Sequence, residues 1–204
     1  LSVTALRREW ERRSDEIRVI AGHFPFAAME LLGGGFSSFT LLRDPVARTV
    51  SNLREQAVAN PRMADLPLDE VYRRVTPFTR NHMMRMLAST PDEIVETESI
   101  GRWPLFLWLD PTEERLERAR ANLDRIDVVG FTEELETLCA DLTRRFGWNL
   151  GEPLHANASP PRAIPAELLA RIREDNACDI ALYEYARRTR GPSASAAPAG
   201  DPHP

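Results

Sequence analysis

The fold is decided by the stretch FSSFTLLRDPVARTVS, residues 36–51, in which a strand pattern changes directly into a helix pattern. The apolar run from Phe36 to Leu42 predicts a strand, and Arg43-Asp44-Pro45 ends it. Asp44 is placed to cap a helix that begins at Pro45, where the missing proline N–H loses no hydrogen bond. The stretch therefore predicts a strand, a sharp turn and a helix, with Ser51 about two turns into that helix.

Further strands and helices alternate on both sides of this stretch. Ile17 to Ala21 and Ile126 to Phe131 are two more predicted strands, and Thr132-Glu133-Glu134 is expected to cap the helix that follows. Beyond the helix that begins at Pro45, helices are predicted over residues 2–15, 68–75, 80–88, 111–125, 132–147 and 165–190, the last with a kink near Asp175-Asn176. This order is typical of an α/β fold with a mainly parallel sheet and flanking helices.

The basic residues of the chain are all arginine, since the 26 Lys+Arg include no lysine. A Walker-type phosphate loop, a pyridoxal-phosphate enzyme and a Schiff-base aldolase each need a lysine, so this chain alone cannot form them. The formal net charge of −5 argues against generic binding to nucleic acid or to a membrane surface. Cys139 and Cys178 lack metal-ligand spacing and are expected to be small buried side chains rather than a disulfide or a metal site.

Arg43 and Ser51 are the candidate anion-binding residues. In α/β sheets, ligands collect at the carboxyl ends of strands, where helix N-termini present backbone N–H groups to anions. Arg43 follows a predicted strand, so its planar guanidinium would lie at this edge and could bind a phosphate through two N–H groups. Ser51 could donate its hydroxyl to the same phosphate. Taken alone, the spacing favours the alternative, in which Arg43 forms a surface ion pair and Ser51 faces solvent.

His23 is the candidate general base. It follows the predicted strand Ile17 to Ala21, which would place it at the same sheet edge as Arg43. An imidazole with a pKa of about 6.5 can take a proton from a hydroxyl nucleophile. The alternative is a turn histidine bonded to the backbone. No metal site is predicted, because the remaining histidines lack zinc spacing and are expected in a packed helix, a loop and the tail, respectively: His82, His155 and His203.

Several segments of the sequence resemble the sulfotransferase family. VIAGHFPF, residues 19–26, and FTLLRDPVARTVS, residues 39–51, are similar to the branch that contains heparan sulfate 2-O-sulfotransferase and its bacterial relatives. The Arg-Asp-Pro…Ser segment is the most specific element. The resemblance spans most of residues 17–190, with three weaker segments: NHMMRML at 81–87, VVGFTEE at 128–134 and DIALYEYA at 179–186.

The resemblance implies a sulfotransferase fold like that of P-loop nucleoside triphosphatases, incomplete at the N-terminus, with 3′-phosphoadenosine 5′-phosphosulfate (PAPS) as the donor and no metal. It implies that Arg43 and Ser51 hold the 3′-phosphate of PAPS. It further implies that His23 deprotonates an acceptor hydroxyl, expected to belong to a carbohydrate, which then attacks the sulfur in line. The protein would contribute positioning and charge stabilisation rather than covalent chemistry.

The sequence departs from the family at its beginning. Family members open with a strand and a loop resembling Pro-Lys-Thr/Ser-Gly-Gly-Thr around the 5′-phosphosulfate, and nothing here matches that loop. Because residue 1 is Leu, the chain is interpreted as a sulfotransferase-like domain over residues 1–190 that is incomplete at its N-terminus, followed by a disordered tail over 191–204. The alternative is a non-catalytic relative that binds a 3′-phosphonucleotide or a protein partner. An α/β hydrolase ranks last, since no Gly-x-Ser-x-Gly elbow is present.

Two further expectations concern residues outside the matched motifs. Residues 91–110 do not match the family, and Trp103, Phe106 and Trp108 within them are interpreted as core packing, with an aromatic platform for a sugar ring as the alternative. No run approaches the roughly 20 apolar residues of a membrane span, and no signal peptide is visible. A cytoplasmic bacterial enzyme is therefore expected.

Overall fold

The computed structural model describes residues 2–100, 109–151 and 163–191. Trp103, Phe106, Trp108, His155, His203 and the predicted tail after Gly191 lie outside these residues. Within them the chain is mostly helical around a small sheet. The elements, in chain order, are α1 Val3–Arg13, α2 Ala28–Leu31, β1 Phe39–Leu42, α3 Pro45–Ala59, α4 Leu68–Thr79, α5 His82–Ala88, α6 Pro91–Ser99, α7 Glu113–Asp124, β2 Val128–Phe131, a 3₁₀ turn Thr132–Glu134, α8 Leu135–Phe146, α9 Ala166–Asp175 and α10 Ala177–Arg190.

The sheet of the described residues consists of β1 and β2, which run parallel. Phe39 pairs with Val128, and the register continues to Leu42 opposite Phe131. The predicted parallel sheet with flanking helices is thus confirmed, as a sheet of two strands within the described residues. Because both strands end at the same edge, the residues after Leu42 and after Phe131 lie side by side.

Each face of the sheet packs against different helices. On one face, α8 lies against β2, and Gly130 permits this approach because a Cβ there would stand 2.6 Å from the Leu138 side chain. On the other face, Leu42 and Phe131 join the main core with residues of α5, α7 and α10, including Met84. The sheet therefore has a fixed position relative to the beginning of α5.

A second core joins α3, α4 and α9. Leu53, Val71, Tyr72 and Ile172 are almost fully buried there. Burying an aliphatic side chain of this size contributes about 1.5–3 kcal/mol. This core fixes α3, so the residues at its beginning are presented from a rigid helix rather than from a loop.

The predicted strand over Ile17 to Ala21 is wrong. These residues are irregular, and no strand in the described ranges pairs with them. Val19 is 50 % exposed, so the β-branched run lacks the burial that would stabilise a strand. The chain then passes through α2 and reaches β1 over Gly33, Gly34 and Gly35, all with positive φ of 97°, 73° and 77°.

Several helix boundaries follow the prediction. The Asp44 Oδ1 accepts a hydrogen bond of 2.7 Å from the Ala47 N–H, and Pro45 is the first residue of α3. Gly147 ends α8 in the left-handed conformation with φ 68°, as C-cap glycines do. The expected kink is a break at Asn176 between α9 and α10. The predicted cap at Thr132 is wrong, since neither the 3₁₀ turn nor α8 has a side-chain cap.

Candidate functional site

Arg43 lies at the carboxyl edge of the sheet, between the last residue of β1 and the capping residue of α3. Its side chain is exposed and makes no hydrogen bond or ion pair with any residue in the described ranges. The surface ion pair considered as the alternative is therefore not formed within those ranges. An exposed guanidinium beside a helix N-terminus is free to bind an anion.

Ser51 lies in the second turn of α3 and is half-buried. Three residues before it on the same helix, Arg48 is also half-buried, and residues three apart lie on neighbouring positions of a helix surface. Arg48 and Ser51 therefore lie side by side on α3, whereas Arg43 precedes the helix. The sequence patterns predict no role for Arg48.

Arg48 reaches from α3 to two neighbouring helices. Its Nη2 donates a hydrogen bond of 2.5 Å to the Thr79 carbonyl at the end of α4, and lies 3.6 Å from the Asp179 Oδ2 on α10. Burial lowers the pKa of Arg48, and the neighbouring charge of Arg43 lowers it further, against the opposite effect of Asp179.

The N-terminus of α5 is held by a buried polar network that joins it to α10. The Asp179 carboxylate accepts hydrogen bonds from the Met83 N–H at 3.0 Å and from the Met84 N–H at 2.8 Å. Asn81 precedes the helix with φ 47°, and its Oδ1 accepts from the Asp179 N–H at 3.1 Å. Asn176 accepts from the Asn81 N–H at 3.1 Å. Two of the weaker motif segments, 81–87 and 179–186, thus contact each other directly through their polar residues.

His23 is exposed in a bend that precedes α2. The Phe26 N–H donates a hydrogen bond of 2.9 Å to the Met86 carbonyl, which ties this segment to α5. The charge of His23 also acts on His82, the first residue of α5. His23 therefore lies in a segment that is bonded to α5 through Phe26, although it does not follow a strand as predicted.

His82 is largely shielded from water, as the predicted packing role requires. Burial, together with the positive charges of Arg48, His23 and Arg85, lowers the pKa of His82 to about 3. The imidazole is therefore neutral at physiological pH.

The residues after β2 are acidic, and their carboxylates form hydrogen bonds and an ion pair with other residues of the protein. The Glu133 Oε2 accepts a hydrogen bond of 3.0 Å from the Tyr183 hydroxyl, and its Oε1 accepts a long one of 3.5 Å from the Asp44 N–H. The Glu134 Oε1 pairs with the Arg187 Nη1 at 2.7 Å. These carboxylates fix β2 to α10 and to the beginning of α3, which supports the backbone next to Arg43.

The described residues offer no cluster of three or more His, Cys, Asp or Glu side chains placed to hold a metal ion. Cys139 and Cys178 are free thiols and are half-buried rather than fully buried. Among the helices of the described ranges, none combines the length and the apolar character needed to cross a membrane.

Comparisons of the chain with family models, with curated proteins and with solved structures find no match.

Proposed function

We propose that this chain carries the 3′-phosphate-binding part of a PAPS-dependent sulfotransferase, which transfers a sulfuryl group to a hydroxyl of a carbohydrate. The observation that carries the proposal is the exposed Arg43, which has no hydrogen-bond or ion-pair partner among the described residues and lies at the carboxyl edge of a parallel strand, just before the capping residue of α3. Arg43 would bind the 3′-phosphate through two N–H groups, and the Ser51 hydroxyl would donate to the same phosphate.

His23 has the role of general base in this proposal. Its imidazole takes the proton of the acceptor hydroxyl, and the hydroxyl oxygen forms a bond to the sulfur of PAPS. The bond between the sulfur and the bridging oxygen breaks, and its electron pair leaves with adenosine 3′,5′-bisphosphate. The exposure of His23 and its position near α5 support this role, because a base must be reachable by the acceptor.

Calorimetric titration with adenosine 3′,5′-bisphosphate tests the binding site. Arg43→Ala is expected to abolish binding because it removes the charged donor that contacts the 3′-phosphate. Arg62→Ala is the matched control, since Arg62 is an exposed arginine in the turn after the far end of α3, a helix of 15 residues, or about 22 Å. Equal affinity of Arg43→Ala and the parent protein would rule out the assigned site.

A non-catalytic module that binds a 3′-phosphonucleotide is the second candidate function. The observation that favours it is the absence of lysine from the sequence, since sulfotransferases use a lysine at the 5′ end of the donor. Transfer of labelled sulfuryl from PAPS to desulfated glycosaminoglycans distinguishes the two. Transfer that is lost in His23→Ala, with donor affinity retained, supports the enzyme; binding without any transfer supports the module.

A further inference from the structure

One edge of the sheet has no neighbouring strand among the described residues, because β1 pairs with β2 along one side only. The Ser38 carbonyl accepts a hydrogen bond of 3.1 Å from the Val128 N–H, and in a parallel ladder this bond fixes which residues of β1 face β2. Thr40 therefore bonds to β2, whereas Phe39 and Leu41 direct their N–H and C=O groups to the open edge. These groups have no hydrogen-bond partner in the described ranges.

The side chains at this edge are apolar and exposed. Phe39 is 37 % exposed and Leu41 is 44 % exposed. They are paired with Val128 and Gly130, so they lie on the face of the sheet that α8 covers at β2. The Phe39 ring contacts Trp148, with 5.8 Å between the ring centroids, and Leu41 extends beyond this contact. The edge thus combines unpaired backbone groups with uncovered apolar side chains, which together are a template for a further strand.

The segment FSSFTLL, residues 36–42, lacks the features by which natural sheet edges avoid pairing with another chain. It contains no charged residue and no proline, and its register with β2 runs without a bulge. The first charge is that of Arg43, one residue beyond β1. The sequence therefore leaves this edge open to pairing.

The open edge is complementary to itself about Thr40. When two copies of β1 run antiparallel with their Thr40 residues opposite each other, Phe39 of each copy lies opposite Leu41 of the other. Opposite residues whose backbone groups point towards each other exchange two hydrogen bonds, so the two pairs use every open N–H and C=O group of these residues. The same register packs each Phe39 ring against a Leu41 side chain, an aromatic–aliphatic pair across the strands.

Other registers lose this match. The alternation of the backbone allows shifts by two residues, and these bring either Phe39 opposite Arg43 of the second copy or Leu41 opposite Ser37. In the matched register the two Arg43 residues lie at opposite ends of the paired strands, about 20 Å apart, so their charges do not meet. The edge therefore fits a second copy of itself in one register.

We propose that two copies of this chain associate through their β1 edges, antiparallel about a two-fold axis at Thr40. The result is one continuous sheet in the order β2-β1-β1-β2, and the contact is isologous because both copies use the same surface. β1 has four residues, or about 13 Å. So short a contact buries less than the roughly 1,600 Å² of a standard stable interface, so the dimer is reversible and forms as the protein concentration rises.

Sedimentation velocity of the full chain, from micromolar to millimolar concentration, tests the association. The parent is expected to pass from the monomer mass of 23.1 kDa towards twice that mass. Leu41→Lys places a charge opposite Phe39 of the second copy and is expected to weaken the association by about tenfold or more. Val58→Lys is the matched control and should associate as the parent does, since Val58 is 66 % exposed near the far end of α3. A parent that stays monomeric throughout, or a Leu41→Lys variant that associates as tightly as the parent, would overturn the proposal.

Cysteine cross-linking tests the register. The Thr40 residues form a pair without mutual hydrogen bonds, whose Cα atoms are about 4.5 Å apart and within reach of a disulfide. Thr40→Cys, in a background of Cys139→Ser and Cys178→Ser, is expected to form a disulfide between two copies on mild oxidation. Ser37→Cys is the control, because Ser37 is exposed but its two copies lie about 20 Å apart in the proposed register. Cross-linking of Ser37→Cys as fast as that of Thr40→Cys would overturn the proposed pairing.

A third measurement uses the parent protein alone. In hydrogen exchange, the Thr40 N–H is expected to be protected at every protein concentration because it bonds to β2. The N–H groups of Phe39 and Leu41 are expected to gain protection only as the dimer forms. Protection of Phe39 and Leu41 in a monomeric protein would assign the edge to another segment of the same chain and would overturn pairing with a second copy.

Discussion

The helices α3 and α5 both begin at the candidate site, but their N-termini are stabilised in different ways. α3 is capped by Asp44, the residue directly before it. α5 receives no such cap from Asn81 and instead depends on Asp179, which belongs to α10. The difference shows that one side of the site forms from local sequence, while the other forms only when distant helices have packed.

The largest effect is expected from Asp179→Ala, because it breaks the long-range cap. The variant leaves two buried N–H groups without their acceptor and Arg48 without its ion-pair partner, and losing one partner of a buried charge pair costs about 3–5 kcal/mol. Urea unfolding monitored by circular dichroism measures the loss. Asp179→Asn, which keeps one acceptor oxygen, should lose less. A cost below that of Asp44→Ala would show that α5 does not depend on this cap.

The next largest effect is a pH dependence of stability that arises from His82, the first residue of α5. The folded pKa of His82 is about 3, lowered by burial and by the neighbouring positive charges, whereas an unfolded histidine titrates near pH 6.5. Below pH 6.5 the unfolded chain binds a proton that the folded chain does not, so stability falls as the pH falls, by about 1.4 kcal/mol per pH unit. The contribution of neutral His82 to the stability of the fold is therefore fully present above pH 6.5.

Urea unfolding at pH 7.5 and at pH 5.0 measures this dependence. His82→Gln, whose side chain stays neutral, should lose less stability than the parent over the same range, by about 2 kcal/mol. If the parent and His82→Gln have equal pH slopes, His82 does not remain neutral in the folded protein.

A smaller effect is expected at α3. Asp44→Ala removes the local cap and should cost about 1 kcal/mol, whereas Asp44→Asn, also a good capping residue, should be nearly neutral. Thermal and urea unfolding measure both variants. Should Asp44→Ala cost as much as Asp179→Ala, the distinction between a local and a long-range cap would be lost.

The smallest effect on stability is expected for Arg43→Ala. Because Arg43 is exposed and has no partner in the described ranges, its removal should change the free energy of unfolding by less than about 0.5 kcal/mol. The same urea measurement applies. A loss above 1 kcal/mol would mean that Arg43 supports the fold, and its effect on nucleotide affinity could then no longer be assigned to binding alone.

The same contrast explains how far the sequence could predict the structure. The beginning of α3 was predictable because Asp44 and Pro45 are adjacent in sequence and act on the helix that they precede. The cap of α5 was not, since Asp179 lies 96 residues from Met83 and its role depends on packing. The strand expected at Ile17 to Ala21 failed for a related reason, because a β-branched run needs a neighbouring strand.

The candidate site was predicted in part. Arg43 and Ser51 were selected from their place after a strand, and the structure confirms that strand and helix. The contacts of Arg48 with Thr79 and Asp179 were not predictable, because both partners lie far away in the sequence. The position of His23 near α5 could not be predicted from local patterns, because it depends on a hydrogen bond from the Phe26 N–H to the Met86 carbonyl, 60 residues further along the chain.

The three glycines between α2 and β1 have a consequence for the handedness of the chain. Their backbone angles suit D-amino acids, and a Cβ added at any of them would meet nothing within 4 Å. L-alanine at Gly34 would be strained by the positive φ of the backbone rather than by a clash with a neighbouring atom. The connection between the His23 segment and the strand that leads to Arg43 is thus a run of three residues with positive φ, which glycine adopts without the strain that most other residues would meet there.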